Sequence, residues 1–164
     1  MFSYYRFVFL EEKRSTLYYR PRLLLFDIKI MEKTLSLNRN HSLKSKKQID
    51  LLFSKGELVK KSPVIVKYIY HTDDELSDYK VGFSVSKRKF KRAVDRNRIK
   101  RQMREGFRNN KSLLINSLRS NNIKLTMMFI YTSNELLDSS LIHASIVSIN
   151  SSICRQLAQN DTTC

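Results

Sequence analysis

Arg96, Asn97, Lys100, Arg101 and Arg104 fall within nine consecutive residues, four cations and one amide. On a helix of about a hundred degrees per residue they share one sector, together with Arg108. Ile99, Met103 and Phe107 recur every four residues beside that sector. Guanidinium groups in such an array can clamp phosphates with two parallel hydrogen bonds. An amide among them donates and accepts together, so it can bridge a phosphate oxygen to a sugar hydroxyl or a base edge. Capping a helix start is the other reading of Asn97. The chemistry offered is the binding of a polyanion. Nothing comparable points to bond breaking by the chain itself. His41, His71 and His143 lack metal-ligand spacing, and no Ser/His/Asp or Cys/His set stands out. His143 lies in an apolar-periodic stretch and reads as a structural histidine. Cys154 and Cys164 make no disulfide framework and are expected reduced, in a cytoplasmic protein.

The wider segment "KRKFKRAVDRNRIKRQMREGFR", residues 87–108, holds eleven Lys or Arg against two acids, Asp95 and Glu105. Like charges at i, i+4 weaken a bare helix by a few tenths of a kcal/mol per pair. A merely solvated face would intersperse acids at that spacing. The whole chain repeats the bias: 164 residues, net charge +16 and an isoelectric point near 10.0. Such a field attracts nucleic acid and releases counterions on binding. A membrane surface is the weaker partner, because the helix's apolar stripe is needed for a core.

Residues 1–30 read differently, rich in aromatics and interrupted by charge. Their longest apolar run, Leu23 to Phe26, is too short to span a bilayer. Glu11 to Arg14 stand where a signal peptide would be apolar. The expectation is an N-terminal extension over 1–30, a working start at Met31 and one domain over 31–160. Starting there leaves a charge of +13.

The elements that must position the cations follow from periodicity. Ser45 and Gln48 have capping-box spacing, Ile49, Leu52 and Phe53 repeat helically, and Gly56 stops the run, predicting a helix over about 45–55. Pro63 to His71 is β-branched and aromatic and predicts a strand. In Lys80 to Ser86, Val81, Phe83 and Val85 alternate with Gly82, Ser84 and Ser86, a half-buried strand with a small second face. Gly82 would let a backbone or ligand come close. The basic helix enters near Ala93, and its periodicity can run on through Leu118. Ile123 to Thr132 predicts a strand, and Leu141 to Leu157 a final helix. The mixed order predicts an α+β, two-layer sandwich.

The strand "VGFSVSKR" followed by "AVDRNRIKRQMRE" resembles the protein subunit of bacterial ribonuclease P. That family's hallmark is present as Arg96, Asn97, Lys100, Arg101 and Arg104. "SLKSKKQIDLLFSKG" resembles its first helix, and the likeness runs from about Leu37 to Ala158. Three features depart from the family. Its first helix often has two aromatics one turn apart, and here those places hold Ile49 and Phe53. "KRKFKR" replaces a short glycine-containing turn, with apparently one residue more. A strand aromatic of the family matches Lys67 or Tyr68.

The resemblance implies an order α-β-β(-β)-α-β-α, a sheet of about four strands and a left-handed β-α-β crossover. It implies a protein subunit without its own catalytic residues, beside a catalytic RNA that carries Mg2+. Lys87, Arg88, Lys91, Arg92, Arg96, Asn97, Lys100, Arg101 and Arg104 would bind that RNA. Ile49, Phe53, Lys67, Tyr68, Ser84 and Ser86 would hold the single-stranded 5′ leader of precursor tRNA. The holoenzyme, with one protein per RNA, would cut the leader away in the cytoplasm. The rival is another RNA-binding module, such as a ribosomal protein. A reader of DNA bases would carry a more mixed polar face.

Overall fold

The alternation of Val81, Phe83 and Val85 with smaller residues becomes strand β3, Tyr79–Val85. The computed structural model describes residues 37, 39–71 and 78–160. The chain divides into Met1–Thr34 and Leu35–Cys164, and the first unit, with the expected extension over 1–30, lies outside the described residues. After a short 3-10 turn at Arg39–His41 come α1 Lys46–Lys55, β1 Glu57–Lys61, β2 Val64–His71 and β3. Then follow α2 Ala93–Asn110, α3 Ser112–Ser120, β4 Lys124–Tyr131 and α4 Ser139–Asn160. The architecture is α+β, with one mixed sheet in the order β1-β2-β4-β3. β1 and β4 run antiparallel to β2, and β3 lies parallel to β4. The parallel pair needs a crossover, which α2 and α3 supply.

Period-2 burial divides the sheet residues between two faces. Val64, Val66, Tyr68, Val81, Phe129 and Tyr131 face α2, α3 and α4 in the main core. Met128 faces the other way, into a small cluster with Leu43 and Leu52, flanked by Ile49, Ile69 and Ile130.

Several local expectations change. Ser45 is the N-cap of α1, but its side chain makes no capping bond. The Gln48 side-chain oxygen instead accepts from Lys80 Nζ at 3.3 Å, so the capping box does not form. Gly56 ends α1 by donating its N–H to Leu52 O at 2.9 Å. A Cβ there would sit 2.3 Å from that same backbone oxygen, so the chain turns into β1 only through glycine. β1 carries little periodic signal because only Val59 in it is even half-buried. The run from α2 to Leu118 is two helices, broken at Lys111. That lysine is buried, 4% exposed, with its ammonium 3.4 Å from the Tyr79 hydroxyl. Burial, and then Arg108, lower its pKa. Asn110 just before it bonds back to Gly106 O at 2.8 Å.

Candidate nucleic-acid interface

The stripe of α2 does what its spacing requires. Ile99, Met103 and Phe107 are buried, at 1%, 0% and 0% exposure. Across the helix, Asn97, Arg98, Arg101 and Arg104 are exposed, and Arg96 and Lys100 are half-buried. The ion pairs among the described residues are Arg108 with Glu105 and Arg119 with Asp78. Arg108 is thus drawn towards its own helix, donating through Nε to Glu105 Oε2 at 3.0 Å. That bond, chiefly, holds the Glu105 carboxyl below its usual range. No carboxylate among the described residues pairs with Arg96, Lys100, Arg101 or Arg104.

The connection before α2 contains no glycine because a side chain anchors it. Phe90 is 7% exposed, and its ring centroid lies 5.8 Å from that of Tyr131. Its N–H donates to Ser86 O at 3.1 Å, closing a turn. Arg96 Nη1 donates to Phe90 O at 2.8 Å and to Lys91 O at 2.6 Å, tying the turn to the helix. The Lys89 ammonium donates to Thr132 O. Lys87, Arg88, Lys91 and Arg92 are left exposed along the connection. The hallmark arginine therefore also organises the backbone, a role that spacing alone did not reveal. The buried aromatic within a basic run was its only sequence signal.

The second residue group meets in part. Ile49 and Phe53 stand on α1, the latter 44% exposed. Lys67 reaches across, donating to Phe53 O at 2.6 Å with its nitrogen 5.5 Å from the ring centroid. Ser84 shares this face of the sheet, opposite Ile130 in register. Tyr68 does not join them. It is 0% exposed on the opposite face, its hydroxyl donating to the Glu57 carboxylate and meeting the Gln156 side-chain amide at 2.6 Å. Of the two, Lys67 is on the α1 face, since neighbouring strand residues point to opposite faces. Ser86 lies past the end of β3, where its hydroxyl accepts the Arg88 N–H at 3.3 Å. The space over Gly82 is taken by the end of Met128, only 2.7 Å from where a Cβ would stand.

Among the described residues no three His, Cys, Asp or Glu side chains gather as metal ligands. No helix among them is long and apolar enough to cross a membrane.

The model of the family Ribonuclease P matches residues 37–144. The ribonuclease P protein component of Porphyromonas gingivalis W83 is 34% identical over 105 residues, covering 64% of this chain and 77% of that one. That of Idiomarina loihiensis is 40% identical over 78 residues, 48% of this chain and 61% of its own. Among solved structures, the Staphylococcus aureus RNase P protein superposes with a TM-score of 0.56 at 23% identity, over 69% of this chain and 94% of that one. The Thermotoga maritima protein gives 0.54 at 20% identity, over 68% and 96%, and both likenesses speak for the fold. With the family match spanning the first helix, the sheet and the cationic ridge, the chain belongs to the ribonuclease P protein family.

Proposed function

We propose that this chain, a protein subunit of the endoribonuclease ribonuclease P, docks the catalytic RNA along α2 and the connection before it. Lys87, Arg88, Lys91, Arg92, Arg96, Asn97, Lys100, Arg101 and Arg104 form that docking ridge. What carries the reading is that Arg96, Lys100, Arg101 and Arg104 lack acidic partners among the described residues, yet stand on a helix fixed by a buried stripe. Cations held in place gain more from phosphate than mobile ones, because less conformational freedom is lost on binding. The family match sets aside the ribosomal-protein alternative.

The cleft between α1 and the sheet holds the single-stranded 5′ leader of precursor tRNA. Ile49, Phe53, Lys67 and Ser84 line that path, and Phe53 offers a base-stacking face. Stacking is worth about 1–3 kcal/mol per base and tolerates any sequence. Hydrolysis of the phosphodiester belongs to the RNA, which brings the magnesium ions. The chain's own work is to lower repulsion between two polyanions and to orient the substrate. One protein serves one RNA, in the cytoplasm, with 31–160 as the working domain and 1–30 as an extension.

The test is reconstitution with a ribonuclease P RNA at low magnesium, using the full chain and a version starting at Met31. Both should restore cleavage of precursor tRNA. Phe53→Ala should weaken affinity for a leader-bearing precursor and leave affinity for mature tRNA unchanged. Equal loss for both substrates would remove Phe53 from the leader path. No stimulation by either chain would end the reading.

A further inference from the structure

A cavity of about 360 Å³ opens at the outer edge of β3, between Leu37, residues 41–44 and the ridge of α2. β3 is an edge strand, and the chain before α1 runs along it. Ser42 bridges Val81, and Leu43 donates its N–H to Val81 O at 3.0 Å. Leu37, Leu43, Val81 and the Phe83 ring give the cavity an apolar floor, while Lys44, Lys100 and Arg104 give it a cationic rim. No acidic side chain lines it, and neither ion pair among the described residues involves those three cations.

Two planar groups are held in place there. The Arg104 guanidinium lies 5.8 Å over the Phe83 ring, which is itself stacked on Phe129 at 5.6 Å. His41 stacks on Tyr79 with centroids 4.2 Å apart and planes 6° from parallel, and its Nδ1 faces Tyr79 O at 3.1 Å. A ring nitrogen facing a carbonyl carries the proton, so in the neutral ring Nε2 is left as an acceptor. A bare phosphate has no use for an apolar floor. Bases recognised singly by proteins stack on guanidinium planes and give their phosphates to cations.

We propose that this cavity takes one unpaired nucleotide, its base on the apolar floor beside the Arg104 guanidinium and its phosphate on the lysine rim. The nucleotide is an extruded residue of the catalytic RNA or a free mononucleotide. The inference rests on the ridge reading, since Lys100 and Arg104 belong to both sites.

Ser42→Leu fills the cavity without changing charge, at an exposed side chain whose link to β3 is through the backbone. Lys44→Ala removes one rim cation, and Arg155→Ala removes an equal charge from the exposed side of α4. Each is titrated with labelled adenosine monophosphate and with the catalytic RNA at several salt concentrations, after its melting curve confirms folding. Ser42→Leu should weaken the binding of both ligands about tenfold. Lys44→Ala should weaken binding and reduce the slope by about one charge. Arg155→Ala should keep the mononucleotide affinity. Loss of mononucleotide binding with RNA affinity intact supports the cavity and assigns it to the free nucleotide. If Ser42→Leu and Lys44→Ala bind both ligands like the parent, the proposal is overturned, even while the parent stimulates precursor cleavage. Should Ser42→Leu fail to fold, Lys44→Ala decides alone. A parent that stimulates no cleavage would instead remove the ridge reading beneath it.

Discussion

The two faces of the sheet are covered unequally. On one, Val64, Val66, Tyr68, Phe129 and Tyr131 are sealed beneath α2, α3 and α4. On the other, α1 closes a patch of Leu43, Leu52 and Met128 and leaves Phe53 and Leu58 about two-fifths exposed (44% and 43%). The sealed face fixes the frame on which the α2 cations stand. The open face keeps an aromatic ring, a lysine and small residues within reach of a ligand. A groove needs that incompleteness, because a fully packed face has no room for a substrate.

The harshest way to break this comparison is to cut into each face. Phe107 is 0% exposed and packs its ring against Tyr79, Phe83 and Phe129. Phe107→Ala should cost about 3–5 kcal/mol, read from urea unfolding. Leu52 is equally buried, but its cluster is small and edged by half-exposed side chains. Such a site collapses more easily around a deletion, so Leu52→Ala should cost about 2 kcal/mol. Equal costs would mean that the α1 face is as tightly built as the other.

A milder probe is pH. Tyr70 packs against the main core, and burial, followed by the Glu57 carboxylate, raises its pKa from the ordinary 10.0 to about 12. A tyrosine raised in this way stabilises the fold in full below pH 10. Above it the unfolded chain ionises first, and the contribution is lost as pH climbs through about 12. The stability of the parent relative to Tyr70→Phe should therefore fall by about 1 kcal/mol between pH 9 and pH 11. A constant difference over that interval would show that Tyr70 titrates normally and that the face is wetter than it looks.

Much of this was legible in sequence. The period-4 stripe of Ile99, Met103 and Phe107 located the buried side of α2 and hence the cations opposite it. Strands β2, β3 and β4 came from β-branched and alternating runs, within a residue or so of their ends. What was not legible depended on contacts distant in the chain. Nothing local distinguishes Lys67 from Tyr68, because a strand's phase is set by what packs on it. Ser45 and Gln48 have the spacing of a capping box, but Lys80 from the sheet takes the Gln48 oxygen. Phe90 looks like an interruption in a basic run until Tyr131, forty-one residues later, is seen beneath it. Lys111 carries no signal of burial at all. Its place between two helices is fixed by Tyr79, in a strand that comes earlier in the chain.

The finest probe stays within α2 and separates a cation that only binds from one that also builds. Arg101 is exposed, and no hydrogen bond or ion pair ties its side chain to the described chain. Arg101→Ala should leave unfolding unchanged and lower the salt slope of RNA binding by about one charge. Arg96 gives Nη1 to two carbonyls of the connection. Its loss should cost about 1 kcal/mol of stability. It should also speed exchange of the Phe90 amide, whose bond to Ser86 O closes the turn. Arg96→Lys keeps the charge but loses the planar fork. It should keep the salt slope while showing the same faster exchange. If Arg96→Ala and Arg101→Ala proved alike in both readouts, the turn would be held by Phe90 alone. The hallmark arginine would then be a phosphate ligand and nothing more.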